Sequence, residues 1–186
     1  MTVDGYLIRQ PMRLLEAEAW VIAKLGASPR AEHSRFVGSL MRALAGSLAP
    51  TEAELWEITG LVHDLDFFVV DGDWPIHGRT TAAWLEGRLP IPALLAIAAH
   101  DHRSGIPSDA PLAEALRLCD ALAVLDETAG RAQVLSALST GEDAIRDLAG
   151  ERAYLAAMIL ELSTSLGLSL EASGEMLTVL PEQRVA

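Results

Sequence analysis

An adjacent His63-Asp64 pair closes the apolar stretch Gly60-Leu61-Val62-His63-Asp64-Leu65-Asp66. A neutral imidazole offers one lone pair, and a carboxylate can bridge two cations. Neither group is stable beside Leu61, Val62 and Leu65 unless a cation or a hydrogen-bonding partner is close. All five histidines, His33, His63, His77, His100 and His102, fall in the first 102 residues, consistent with one site. Asp120 sits in the apolar stripe Leu112, Leu116, Asp120, Ala123, Val124, where an unpaired carboxylate would be expensive. His33, His63, Asp64, His77, His100 and Asp120 are therefore candidate ligands projecting from the inward faces of neighbouring helices, as helix-bundle metal sites do. Mixed imidazole and carboxylate donors suit Mn, Fe, Co, Ni or Zn rather than Ca²⁺.

The elements that must position these groups are helical. The spacing of Leu7, Leu14, Leu15, Ala19 and Ile22 predicts an amphipathic helix over 7–25, stopped by Gly26. A second helix over 31–48 presents Phe36, Val37, Leu40, Met41, Leu44 and Leu48, and His33 shares that face. Taken alone, His33 also reads as a core histidine bonded to a backbone carbonyl. After Pro50, Thr51-Glu52-Ala53-Glu54 has the form of a capping box, so a third helix starts near Glu52 and ends at His63-Asp64. Residues 67–75, with Asp71-Gly72 and Trp74-Pro75, read as a loop rather than a strand. His77 begins a short helix in register with Thr81 and Trp84; taken alone it also reads as an exposed residue of a helix N-terminus. Leu89-Pro90-Ile91-Pro92 is a hinge with Pro92 at N1 of the next helix. There Ala93, Ala96 and Ile97 lead to His100, while His102 lies about 200° round and belongs to the rim. The helix over 111–128 carries Asp120, and Asp126-Glu127 are expected to face water or cap the edge of the site. Further helices over 131–138, 142–148, 151–166 and 170–180, separated by Gly141, Gly150 and Gly167, are read as structural packing or a homodimer surface.

Composition supports one all-α unit. An apolar fraction of 51%, largely Ala and Leu, favours helices. No apolar run reaches ~18 residues, so no membrane span is expected. The start of the chain lacks a basic segment followed by an apolar one, and the single Cys119 excludes a disulfide framework. Both readings point to a reducing cytoplasm. Cys119, within Leu116-Arg117-Leu118-Cys119, reads as a small core residue. A formal charge of −12 disfavours a nucleic-acid polymer as partner, although a small phosphate ester could bind beside a cation.

The order His33, His63-Asp64, His77, His100, Asp120 resembles the HD-domain superfamily of metal-dependent phosphohydrolases, over roughly residues 31–127. His63-Asp64-Leu65-Asp66-Phe67 is similar to an HDxD-aromatic version found in small bacterial members, and the closing Ser165-Leu166-Gly167-Leu168 is similar as well. The resemblance implies an HD-type helical bundle over 1–130 with C-terminal helices over 131–186 packing on it or forming an oligomer surface. It implies a first metal on His33, His63, Asp64 and Asp120. Asp64 would bridge to a second, held also by His77 and His100. A metal-activated water would then attack a small phosphate ester such as a nucleotide or related phosphomonoester or diester. Many members follow the HD pair with Gly and Lys. Here Asp66-Phe67 follows, which makes Asp66 the nearest candidate for general acid or base, or alternatively a group that orients a histidine. His102 and Arg103 are candidates for meeting substrate phosphate at the rim. Two other readings share the ligand list: a di-iron HD-type oxygenase, and a non-catalytic module that binds a nucleotide or metal.

Overall fold

Two helices cross at a pair of glycines, and that crossing brings the first histidines together. The computed structural model describes residues 11–178 throughout and, before them, the backbone of Thr2–Val3 (β1) and Tyr6–Leu7 (β2). Apart from that small antiparallel pairing, the fold is all-α. The helices are α1 (Leu14–Leu25), α2 (Pro29–Leu48), α3 (Ala53–Val62), α4 (Arg79–Trp84), α5 (Ile91–Ala99), α6 (Pro111–Ala129), α7 (Arg131–Thr140), α8 (Glu142–Ala149), α9 (Ala153–Ser165) and α10 (Leu170–Thr178). Helix α2 starts where local chemistry allows it. Ser28 Oγ accepts the Ala31 N–H at 3.2 Å, and Pro29 occupies the first turn, where its missing N–H costs nothing. Phe36, Val37, Leu40, Met41 and Leu44 are buried on α2, and Ile58, Leu61 and Val62 on the α3 packed against it. A Cβ on Gly60 would lie 2.9 Å from the Gly38 Cα and 2.8 Å from the Met41 Cγ, so only glycine permits this approach.

Helix α6 is the central strut. Leu112, Leu116, Leu118, Leu122 and Leu125 are buried along it, and α2, α5, α7 and α9 all pack on it. Helix α10 packs on α7 and reaches α2. The expectation that Asp126 faces water is corrected. Asp126 is buried and receives Arg131 Nε at 2.6 Å and Nη2 at 3.0 Å, while Arg131 Nη1 donates to the Leu177 carbonyl at 2.5 Å. This two-pronged pair ties α6, α7 and α10 together, and pairing is what makes a buried carboxylate tolerable.

Other expectations differ in detail. The first helix begins at Leu14, not Leu7, because Pro11 precedes it and the Met12 N–H is taken by the Arg88 carbonyl at 3.1 Å. Its buried face is Ala17, Val21 and Leu25, whereas Leu14, Leu15, Ala19 and Ile22 point outward. Leu7 lies in β2, and residues 8–10 fall outside the described residues, as do 179 and 180 at the far end. The capping box does not form. Pro50–Glu52 is a 3₁₀ turn, so Thr51 is already inside helical backbone and Glu52 precedes α3 without a side-chain cap. Leu48 is partly exposed, and Pro92 takes the second position of α5 rather than the first. Residues 67–75 form turns ending in a 3₁₀ turn, Trp74–Ile76, as their composition predicts. Among the described residues, no single helix is long and apolar enough to cross a membrane.

Candidate metal centre

The six candidate ligands converge beside the middle of α6. His33 comes from the second turn of α2. His63 and Asp64 follow the last residue of α3, with His63 still in helical conformation. His77 follows the Trp74–Ile76 turn in an extended conformation, His100 caps α5, and Asp120 stands midway along α6. His33, His63, Asp64, His77 and His100 are all buried, and Asp120 is partly open to the cavity.

Each imidazole is anchored through Nδ1. His33 Nδ1 is 2.7 Å from Glu127 Oε1, His63 Nδ1 is 2.6 Å from the Gly60 carbonyl, His77 Nδ1 is 2.7 Å from Asp66 Oδ1, and His100 Nδ1 is 2.7 Å from the Ile97 carbonyl. A carbonyl only accepts, so His63 and His100 each carry a proton on Nδ1. The inward Nε2 atoms surround the carboxylates. His33 Nε2 is 3.0 Å from Asp120 Oδ1, His77 Nε2 is 3.0 Å from Asp64 Oδ1, and His63 and His100 Nε2 are each 3.5 Å from that same oxygen. Asp64 Oδ2 faces the other way, 4.0 Å from His33 Nε2 and 2.9 Å from the Arg30 guanidinium. Backbone or carboxylate anchoring of the distal ring nitrogen is the usual support of a metal-binding histidine.

The electrostatics fit a cation. His63 Nε2 is buried and has no hydrogen-bond partner, and burial pushes its imidazole down to about 4, so it is neutral. A buried lone pair without a donor is costly unless something fills the space before it. His33 and His77 behave oppositely. Burial pulls both down, but Asp120 and Glu127 outweigh it at His33, raised to about 9, and Asp64 and Asp66 outweigh it at His77, raised to about 10. Burial would raise Asp64, yet the neighbouring imidazoles and Arg30 hold it well below the usual carboxylate range. Three overlapping donor sets have their ligand atoms within 4.8 Å of one another: His33, His63 and Asp64; His63, His100 and Asp120; and Asp64, His77 and His100. Asp64 belongs to two of them.

A family model for the HD domain matches residues 30–125. The chain belongs to the HD-domain family. Comparison with curated proteins and with solved structures gave no match. Membership carries a general expectation of metal-dependent hydrolysis, and the donors of this HD domain are of the right kind to hold divalent metal. The matched segment spans all six candidate ligands and stops before Glu127.

Asp66 is not placed to act as a general acid or base. It is fully buried, its Oδ1 holds His77, and its Oδ2 accepts the Gly78 and Thr81 N–H groups at 2.8 and 3.0 Å. Of the two roles its sequence position allows, orienting a histidine is the one the geometry supports. Gly78, at φ +74°, makes this possible. A Cβ there would collide with the Ile97 carbonyl at 2.4 Å and the His100 ring at 2.9 Å. His102 and Arg103, on the His102–Ser104 turn, are among the residues lining the cavity beside the donors. Arg103 is committed to Asp101 and stacks 3.9 Å above the Trp74 ring.

Asp64, His77, His100 and Asp120 line a cavity of about 590 Å³, whose walls include Arg30, Phe67, Trp74, Glu127, Tyr154 and Met158, while His33 and His63 lie buried behind them. Sequence reasoning missed Arg30, one turn before His33, whose guanidinium rests 4.0 Å over the Phe67 ring. It also missed Glu127 as the partner of His33, although Glu127 lies two helical turns beyond Asp120 on the same face. The third omission is the wall contributed by α9.

Proposed function

We propose that this HD domain is a phosphohydrolase that acts on a small phosphate ester with two divalent transition-metal ions. The observation that carries this reading is the unpartnered, buried Nε2 of His63 among inward-facing donors, four of which (Asp64, His77, His100 and Asp120) line a cavity together with Arg30. His33, His63, Asp64 and Asp120 would hold one ion; His77, His100 and Asp64 would hold the second. When bound, the ions activate water and neutralise the phosphoryl oxygens of the ester. The protein's own groups prepare that chemistry. Glu127 and Asp66 fix the planes of His33 and His77, and backbone carbonyls fix those of His63 and His100. Arg30 is held flat against Phe67 at the cavity wall, where its planar fork suits a phosphate as well as it suits Asp64. Cations confined to the site reconcile an anionic substrate with a chain of net charge −12.

The test is elemental analysis of protein purified without added metal, followed by hydrolysis of a nucleotide and generic phosphoester panel with the metal found. Turnover that depends on that metal is expected. Fully loaded protein that hydrolyses nothing in the panel overturns the reading. Bound iron with a mixed-valent EPR signal would then point to the oxygenase.

A further inference from the structure

The cavity extends beyond the metal donors. From Asp120 the lining face of α6 continues through Ala121, Val124, Glu127 and Thr128, about 12 Å along the helix axis. Helix α9 supplies Tyr154, Leu155 and Met158 to the same cavity. Leu155 is buried, Met158 is half-buried, and Tyr154 is half-exposed at the mouth. There the Tyr154 ring lies 5.9 Å from that of His102, so α9 meets the turn that follows α5. All of α9 lies beyond the segment matched by the HD-domain family.

The chemistry of this wall is selective. Among the described residues, no Asn or Gln lines the cavity, and amide side chains are the usual readers of the edges of nucleic-acid bases. Val124, Leu155 and Met158 recognise apolar area and shape instead. A cavity of this size, about 590 Å³, suits a ligand much larger than phosphate alone. A methyl ester would leave the α9 wall uncovered.

Resting on the phosphohydrolase reading of the floor, we propose that the substrate is a phosphate ester of a bulky apolar or aromatic alcohol. Tyr154 and Met158 hold its organic body while the donors and Arg30 hold the phosphoryl end. Specificity then resides in α9, outside the family segment, and the chemistry resides inside it.

Binding of two non-hydrolysable phosphonates to metal-loaded protein, followed by calorimetry, tests this. Naphthylphosphonate is expected to bind about tenfold more tightly than methylphosphonate, from the apolar area it covers. The double variant Tyr154→Ala, Met158→Ala is expected to lose most of that preference while keeping its metal content and its affinity for methylphosphonate. Equal affinity of the wild type for both compounds, binding of neither, or a preference that survives in the double variant overturns the proposal. A parallel loss of methylphosphonate binding also overturns it, because α9 would then be supporting the donors. The two readings fail separately. A wild type that prefers naphthylphosphonate but turns over no phosphate ester removes the hydrolysis and leaves recognition by α9 standing.

Discussion

Asp66 Oδ1 lies 2.7 Å from His77 Nδ1, and neither oxygen of Asp66 reaches the cavity. A carboxylate so placed acts through the histidine it holds. Asp66→Asn is expected to lower metal affinity about 10–100-fold. It also weakens the bonds to Gly78 and Thr81, costing on the order of 1–3 kcal/mol of stability. Metal titration and thermal unfolding measure both. A variant with full metal content and a lower kcat would restore a direct role in proton transfer.

Glu127 supports His33 in the same way from α6. Glu127→Gln is expected to weaken metal binding about 10–100-fold, and Glu127→Asp to recover little, because a shorter side chain no longer spans the 2.7 Å contact. Equilibrium dialysis of each variant against the native metal gives the answer. Unchanged affinity in both would reduce Glu127 to a surface residue.

Removing the candidate donors one at a time tests the proposed pair of ions. His63→Ala and Asp64→Ala are each expected to abolish bound metal and activity together, and His77→Ala to lower the content from about two ions per chain towards one. Elemental analysis of the purified variants is sufficient. Retained stoichiometry in His63→Ala and Asp64→Ala would sink the ligand assignment, and a wild type that never holds more than one ion would sink the binuclear one.

The metal-free protein carries a distinctive pH signature. His33 and His77, raised to about 9 and about 10 from the ordinary 6.5, bind more protons when folded than unfolded. Their stabilisation is complete below pH 6.5 and disappears as pH climbs through those raised values. His63, held down to about 4 by burial, works in the other direction and destabilises the fold as pH falls from 6.5 to that value. Urea unfolding of the apoprotein is therefore expected to show these three groups pulling stability down on both sides of the ordinary histidine value. Metal must displace the extra protons, so loading at neutral pH is expected to release protons. Calorimetry in buffers of different ionisation enthalpy counts them; zero release would contradict protonated His33 and His77.

Gly60→Ala places a methyl against the Gly38 Cα at 2.9 Å. Overpacking of this kind costs about 1–3 kcal/mol and is expected to weaken metal binding as well, since His33 and His63 ride on the two helices that must separate. Thermal unfolding with and without metal reads both effects. A variant as stable and as metal-avid as the wild type would show that the helices can shift without moving the donors.

The donors were readable because histidine is scarce in this chain and Asp120 interrupts an otherwise apolar stripe. Periodicity was enough for α2, α5 and α6, where one face is clearly apolar. It failed for α1. That helix buries Ala17 and Val21, small residues on its inner face, and leaves Leu15 and Ile22 outside, so hydrophobicity alone selects the wrong side. The capping box failed because Pro50 started helical backbone one turn early. The role of Asp66 was undecidable from spacing, since it lies beyond the end of α3, where no period links it to His77. Tyr154 and Met158 look like core residues of an ordinary amphipathic helix, and only the packing of α9 along α6 reveals them as a cavity wall.

The Gly38–Gly60 contact has a consequence for how such a protein can diversify. Each glycine inside a helix sacrifices about 0.5–1 kcal/mol relative to alanine. The return is a donor spacing inherited from backbone geometry rather than from any single rotamer. The donor cluster and the α9 wall can then drift independently: one is clamped by a helix crossing that tolerates no added atom, the other is lined by replaceable side chains. Changes to the wall leave the donors where the crossing puts them.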